Sequence, residues 1–290
     1  MSADAAPVRP LVVQGRGGGL AEALRRRHLL SLLVRKELRV RYRASVLGLG
    51  WSYVKPAVQF AVYFVGMGLV LGQRAIGDYA LYLFGGLAVV ATFGEAVGNA
   101  TRSVVANGAL VRKIYLPREL FPLSSLCVAA VHLGPQLLVL AAGALAAGWR
   151  PDPVGLLALV TGLLLTLTLA LGCGLLLAAA NVLFRDTENL VDLVLMVLVW
   201  TSPVLYSWQR VAELLGPDSV WTRLYQANPL TVAVELVHRA TWAHASPGNA
   251  DALPPHLPAD TAVAFVVAGA LVVVGQWVFR RLSGRFAQEL

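Results

Sequence analysis

Six stretches of this chain run for about a bilayer's thickness with almost no charge, at roughly 54–72, 79–100, 121–147, 154–181, 188–208 and 261–279. A helix needs about 20 apolar residues to cross the hydrocarbon layer, so each stretch predicts a transmembrane helix. An even number of crossings leaves both termini on one side. Composition agrees, with 57% hydrophobic and 14% charged residues and a mean hydropathy of +0.67; soluble domains are about one quarter charged. The predicted fold class is an all-α integral membrane protein with six transmembrane helices.

The formal net charge of +8 lies beside these apolar stretches and not on a polar domain. It therefore reads as a membrane-orientation signal and excludes nucleic acid as a partner. Nineteen of the twenty-four Lys and Arg fall on one face: the segment up to Lys55, the loop with Arg102, Arg112, Lys113 and Arg118, then Arg185, and finally Arg280, Arg281 and Arg285. Because Lys and Arg in short loops stay in the cytoplasm, both termini are predicted to be cytoplasmic.

The stretch Arg35–Pro56 carries Arg35, Lys36, Arg39, Arg41 and Arg43 against Glu37, and after Lys55 no charge follows until Arg74. It forms a basic collar ahead of the first span. Residues 1–24 read as a mobile cytoplasmic tail without an apolar core of signal-peptide length. Residues 25–44 predict a helix lying against anionic headgroups. Its apolar residues cluster in the first half and its charges in the second, so no single wet face is evident.

Residues 107–120 begin with the helix-breaking Asn107–Gly108 and set Leu110, Ile114, Tyr115 and Leu116 beside Arg112 and Lys113. Such a segment suits either docking of a soluble partner or an ordinary interfacial loop. Arg185, Asp186, Glu188 and Asp192 read as a solvated, self-paired cluster. From Pro203 to Trp242 the chain mixes charges with interfacial aromatics, and Asn228–Pro229 signals a helix start. A re-entrant helical hairpin over 203–242 is predicted, with protein shielding its backbone. A Pro-rich loop follows before the last span.

No GxxxxGK[ST] loop is present, so any ATP hydrolysis belongs to another chain. His28, His132, His238, His244 and His256 are scattered, and Cys127 and Cys173 lack metal-ligand spacing. His132 reads as a packing histidine. Glu95 reads as a carboxylate neutralised locally by Asn99 and Arg102, four and seven residues on. Tyr53, Phe60 and Phe64 fall near one helical line in the first span, a stripe suited to a sugar path or to packing.

Taken in order, RKELRVRYRASVLGLGWSYVKP, KIYLPRELFPLSS, LFRDTENLVDLV, SPVLY and NPLT resemble the permease subunit of bacterial polysaccharide ABC exporters, the Wzm and teichoic-acid exporter family. The resemblance implies a homodimer with two copies of a separate ATP-binding subunit. ATP and Mg would be held there, leaving no cofactor in this chain and no enzyme activity of its own. It implies export of a lipid-linked polysaccharide of O-antigen, galactan or teichoic-acid type across the bacterial inner membrane. Residues 25–44 become an interface helix, and Leu110, Arg112, Lys113, Ile114, Tyr115 and Leu116 a coupling segment against the ATPase. The hairpin takes the outer mouth. Arg35, Lys36, Arg39, Arg41 and Arg43 would meet the substrate headgroup, and Tyr53, Phe60 and Phe64 the glycan. Alternatives are an ABC permease for a lipid, small glycolipid or drug, an integral-membrane glycosyltransferase, or a passive channel.

Overall fold

The computed structural model describes residues 18–43, 45–46, 48–72, 76–113, 116–217, 219–246 and 248–290. Among them the regular elements are all helical: α1 (Gly19–Arg25), α2 (Arg27–Tyr42), α3 (Trp51–Tyr63), α4 (Tyr79–Ala106), α5 (Gly108–Lys113), α6 (Leu120–Ala146), α7 (Pro153–Leu183), α8 (Thr187–Leu198), α9 (Trp208–Leu215), α10 (Val220–Gln226), α11 (Pro229–Ala240), α12 (Leu257–Ser283) and α13 (Phe286–Glu289). A π-helical turn, Phe64–Val70, extends α3. Ile114 and Tyr115 of the expected coupling segment, and most of the 1–24 tail, lie outside the described residues.

Among the described residues five helices are long and apolar enough to cross a membrane: Trp51–Val70, Tyr79–Ala106, Leu120–Ala146, Pro153–Leu183 and Leu257–Ser283. Together they make a multi-pass membrane protein. The stretch expected to span at 188–208 has a different form. Its helix α8 is 12 residues long and gives way to turns around Pro203. At 1.5 Å per residue such a helix covers about 18 Å, short of the roughly 30 Å core.

Helix starts follow local chemistry. The Asp152 carboxylate accepts the Gly155 N–H at 3.0 Å ahead of Pro153. Asn228 accepts the Leu230 N–H at 3.0 Å ahead of Pro229. In both, the cap satisfies an N–H that the first turn leaves open, and proline supplies a pre-set φ.

Helix α7 is the hub, and its glycines explain how. With lipid outside, helices associate by close packing of small residues and not by hydrophobic segregation. A Cβ on Gly162 would meet the Ala233 carbonyl of α11 at 3.0 Å, one on Gly172 the backbone of α12 at 2.8 Å, and one on Gly174 the Ala100 side chain of α4 at 2.8 Å. Asn181 adds a hydrogen bond from Nδ2 to the Thr101 carbonyl at 3.1 Å.

By contrast α3 is hardly held by the rest of the chain. Only 6% of its apolar window is buried, against 72% for α4. The α11 end of the bundle is tied by polar anchors to the start of α4: the Tyr79 and Tyr82 hydroxyls donate to the carbonyls of Leu205 and Tyr206 at 3.1 Å each. Trp242 Nε1 donates to the Gly77 carbonyl at 2.5 Å. At the collar end a second core gathers Leu33, Val104, Val111, Leu120, Phe121, Phe279 and Phe286.

Candidate functional site

Helix α2 packs along α6 and presents Leu33, Glu37 and Arg41 to it, residues four apart and so on one face. Arg35, Arg39 and Arg43 are each offset by two residues, about 200° around the helix, and remain exposed. The five collar cations therefore do not share one helix face. Lys36 Nζ donates to Asn107 Oδ1 at 2.5 Å, at the junction of α4 and α5. Arg41 alone turns into the bundle.

Arg41 lines an open cavity of about 760 Å³ where α2, α3, α4 and α6 meet. Its walls include Tyr42, Trp51, Ser52, Lys55, Gln59, Glu95, Asn99, His132 and Gln136. Pro56 also borders it, inside α3. Lacking an N–H, Pro56 cannot bond the Ser52 carbonyl four residues back, which loosens α3 beside the cavity.

At the cavity's base Arg41 Nη1 is ion-paired with Glu95 Oε1. His132 Nδ1 lies 2.8 Å from the same oxygen, and Asn99 Nδ2 lies at 3.5 Å. His132 Nε2 is 2.9 Å from the Tyr42 hydroxyl, which is 2.5 Å from Ser52 Oγ. Arg41 only donates, and an ionised Glu95 only accepts. Arg41 Nη1 also lies 3.4 Å from His132 Nδ1; with the proton of a neutral imidazole on Nδ1, His132 donates to Glu95, accepts from Tyr42 at Nε2, and Tyr42 accepts from Ser52.

Glu95 is thus neutralised by Arg41 from the collar, not by Arg102 as its spacing suggested. Arg102 is bound elsewhere, Nε to Glu188 at 2.5 Å and Nη2 to both Asp192 oxygens at 2.6 and 2.5 Å. Hence Glu188 and Asp192 are not a self-paired loop cluster; they brace α8 against α4. His132, expected as packing, is the centre of the polar relay. Trp51, Lys55, Gln59 and Gln136 were not singled out in the sequence, because each is ordinary alone and only the fold brings them to one wall.

One turn earlier on α2, the Ser124 hydroxyl donates to Glu37 Oε1 at 2.6 Å. Burial pushes the Glu37 carboxyl above its ordinary value, while Ser124, Lys36 and Arg41 pull the other way.

The span-one aromatics divide. Phe60 and Phe64 stack at 5.6 Å and pack on Phe84 and Tyr79 of α4, at 5.7 and 6.3 Å. Tyr53 is exposed. In the coupling segment, Arg112 and Lys113 are exposed, whereas Leu110 and Leu116 lean on the collar-end core. Val111 is buried, and a Cβ on Gly108 would lie 3.7 Å from Leu290.

A family model described as ABC-2 type transporter matches residues 28–241. The O-antigen export system permease protein RfbA of Myxococcus xanthus is 31% identical over 268 residues, 91% of this chain and 96% of that protein. An O-antigen export system permease protein RfbA of Klebsiella pneumoniae is 27% identical over 262 residues, 90% of this chain and 95% of that protein. A second protein of that name from the same organism is 27% identical over 266 residues.

Proposed function

The chain belongs to the ABC-2 type transporter family, and we propose that it is the permease subunit of an ATP-driven exporter moving a lipid-linked polysaccharide out of the bacterial cytoplasm. Export of O-antigen is what the names of its relatives state. The observation that carries the proposal to this chain is the collar cavity. A basic, aromatic-walled recess at the foot of a loosely held span suits an anionic headgroup followed by sugar. In this reading Arg41 and Lys55 meet the headgroup from within, and Arg35, Arg39 and Arg43 attract it from outside.

The permease works as a homodimer. Helix α3 has no fully buried residue, and Val58 and Val62 are exposed on it together with Lys55 and Gln59, as are Val65 and Val70 on the π-helical turn that extends it. Lys55 and Gln59 border the collar cavity, and polar residues inside a membrane face a bundle interior or a water-filled path. A second copy facing α3, and a polar path between the copies, satisfies both kinds of residue. Helix α8 with Leu190, Leu193, Val194 and Val197 exposed offers a further apolar face. The turns after α8 complete a sixth crossing, so that both termini lie in the cytoplasm and the protein resides in the inner membrane. Helices α9 and α10, with Trp208 and Trp221, form the re-entrant pair at the outer mouth.

Two copies of a separate ATP-binding subunit dock on residues 107–120, where Arg112 and Lys113 stand clear of the bundle, and ATP and Mg are held by that partner. ATP-driven closure then pushes α5, and the packed spans transmit the push. The test is purification from mild detergent with assay of bound ATPase, comparing the native chain with Arg112→Glu/Lys113→Glu. An ATP-hydrolysing partner that accompanies the native chain and is lost from the variant supports the proposal. No such partner under any condition defeats it.

A further inference from the structure

We propose that Glu95 is a built-in anion, holding Arg41 in the collar cavity until the phosphate of a lipid-linked substrate replaces it there. This deepens the exporter reading and rests on it for the identity of the substrate.

The cavity wall carries two cations, Arg41 and Lys55, and one carboxylate, Glu95. A chain that needed only to neutralise Glu95 inside the membrane would be satisfied by the Arg41 pair. Three further features have no place in that account. Lys55 lines the same wall and has no ion pair among the described residues. The Glu95 carboxylate is gripped through Oε1 only, by Arg41, His132 and Asn99, with no hydrogen bond to Oε2 among the described residues. Arg102, by comparison, reaches both oxygens of Asp192 through Nη2 and also holds Glu188 through Nε. Finally, the Ser52–Tyr42–His132 relay delivers a donor to Glu95 that does not depend on Arg41.

These features together describe an exchange. A phosphate entering the cavity offers Arg41 a two-point partner and gives Lys55 a counter-ion. The displaced Glu95 is not left unsatisfied, because His132 and Asn99 still donate to it. A neutral ligand offers Arg41 no counter-charge and so does not displace the carboxylate, whereas a phosphorylated headgroup does. His132, Tyr42 and Ser52 are positioning residues for the released state. The groups facing the exchange are Arg41 and Tyr42 from α2, Lys55 from α3, Asn99 from α4, and His132 and Gln136 from α6.

The test is calorimetric titration of farnesyl pyrophosphate into the detergent-purified chain, with inorganic pyrophosphate and farnesol as separate probes. Glu95→Gln keeps the shape and the His132 contact but removes the competing charge. It is expected to tighten farnesyl pyrophosphate binding about fivefold, the scale of a half-exposed ion pair, and to leave farnesol unaffected. Adding Arg41→Ala is expected to erase that gain. Equal or weaker binding by Glu95→Gln, or a gain that survives Arg41→Ala, overturns the exchange. If Glu95→Gln fails to fold, Glu95→Asp, which draws the carboxylate back while keeping its charge, must still bind more tightly than the native chain. Inorganic pyrophosphate binding as tightly as the farnesyl compound would assign the cavity to free phosphates and overturn the lipid assignment. The exporter reading fails separately: loss of the ATPase partner with an intact exchange removes it, whereas partner present and exchange absent removes only the role of Glu95.

Discussion

Replacing Phe286 by alanine should loosen α5 without touching it. Phe286 is fully buried, edge-on to Phe279 at 5.3 Å and beneath the Arg118 guanidinium at 5.7 Å. It anchors the four-residue α13, and the next turn of chain brings Leu290 against Gly108, the first residue of α5. Truncating a buried Phe to Ala costs about 3–5 kcal/mol in a rigid core. A four-residue helix relaxes into the gap more readily than a core helix, so the lower figure, about 3 kcal/mol, applies. That corresponds to a change of about a hundredfold in the open population of α13, at tenfold per 1.4 kcal/mol. Hydrogen exchange on the detergent-purified chain should show faster exchange across residues 108–113, with α7 unchanged. If α5 is the surface on which an ATPase docks, ATPase stimulation should fall in parallel, and Phe286→Leu should restore both. Unaltered protection of 108–113 in Phe286→Ala would refute the claim that α13 supports α5.

Gly275→Ala should lower the melting temperature in detergent by the equivalent of about 1–3 kcal/mol, since its Cβ would stand 2.6 Å from the Gly172 carbonyl and force α7 from α12. Gly269→Ala, on the same helix with nothing within 4 Å, should not. Glu37→Gln should stabilise the chain at neutral pH. The Glu37 carboxyl is raised on folding by burial, so its full favourable contribution is present below the unfolded value and is lost as pH rises through the folded one. The gain from Gln, read as the melting difference between pH 4 and pH 8, should therefore shrink toward acid.

The spans at 79–100, 121–147, 154–181 and 261–279 were legible in the sequence because apolar length alone specifies a membrane helix. Within 188–208 the end of the helix was not legible: α8 stops at Leu198 and turns follow through a run whose hydropathy stays high, and composition does not see them. The collar showed no clean amphipathic pattern for a physical reason. The face it turns to α6 carries Leu33, Glu37 and Arg41, one buried apolar residue, one half-buried carboxylate and one exposed cation, and the two charges find their partners, Ser124 and Glu95, on other helices. Partners that far apart in sequence leave no periodic trace. Arg102 misled for the same reason: Glu95 lies seven residues away at helical spacing, but two carboxylates on α8 present a better-matched site.

Helix α2 also explains how the two proposed sites can act together. Lys36 bonds Asn107 at the entrance to α5, and Arg41, five residues further on, pairs with Glu95 in the cavity. At 1.5 Å per residue these two points are about 7.5 Å apart along the axis, on one unbroken helix. No proline or glycine lies between them to absorb a displacement. In the proposed mechanism a push on α5 that shifts α2 is felt at Arg41, and a shift of about 1 Å is enough to change a hydrogen bond from strong to weak. The same rigidity runs in reverse, because coupling between two sites is reciprocal in binding free energy. A headgroup that draws Arg41 from Glu95 therefore acts on the same helix that carries Lys36, the link from α2 to the surface where the ATPase is proposed to dock.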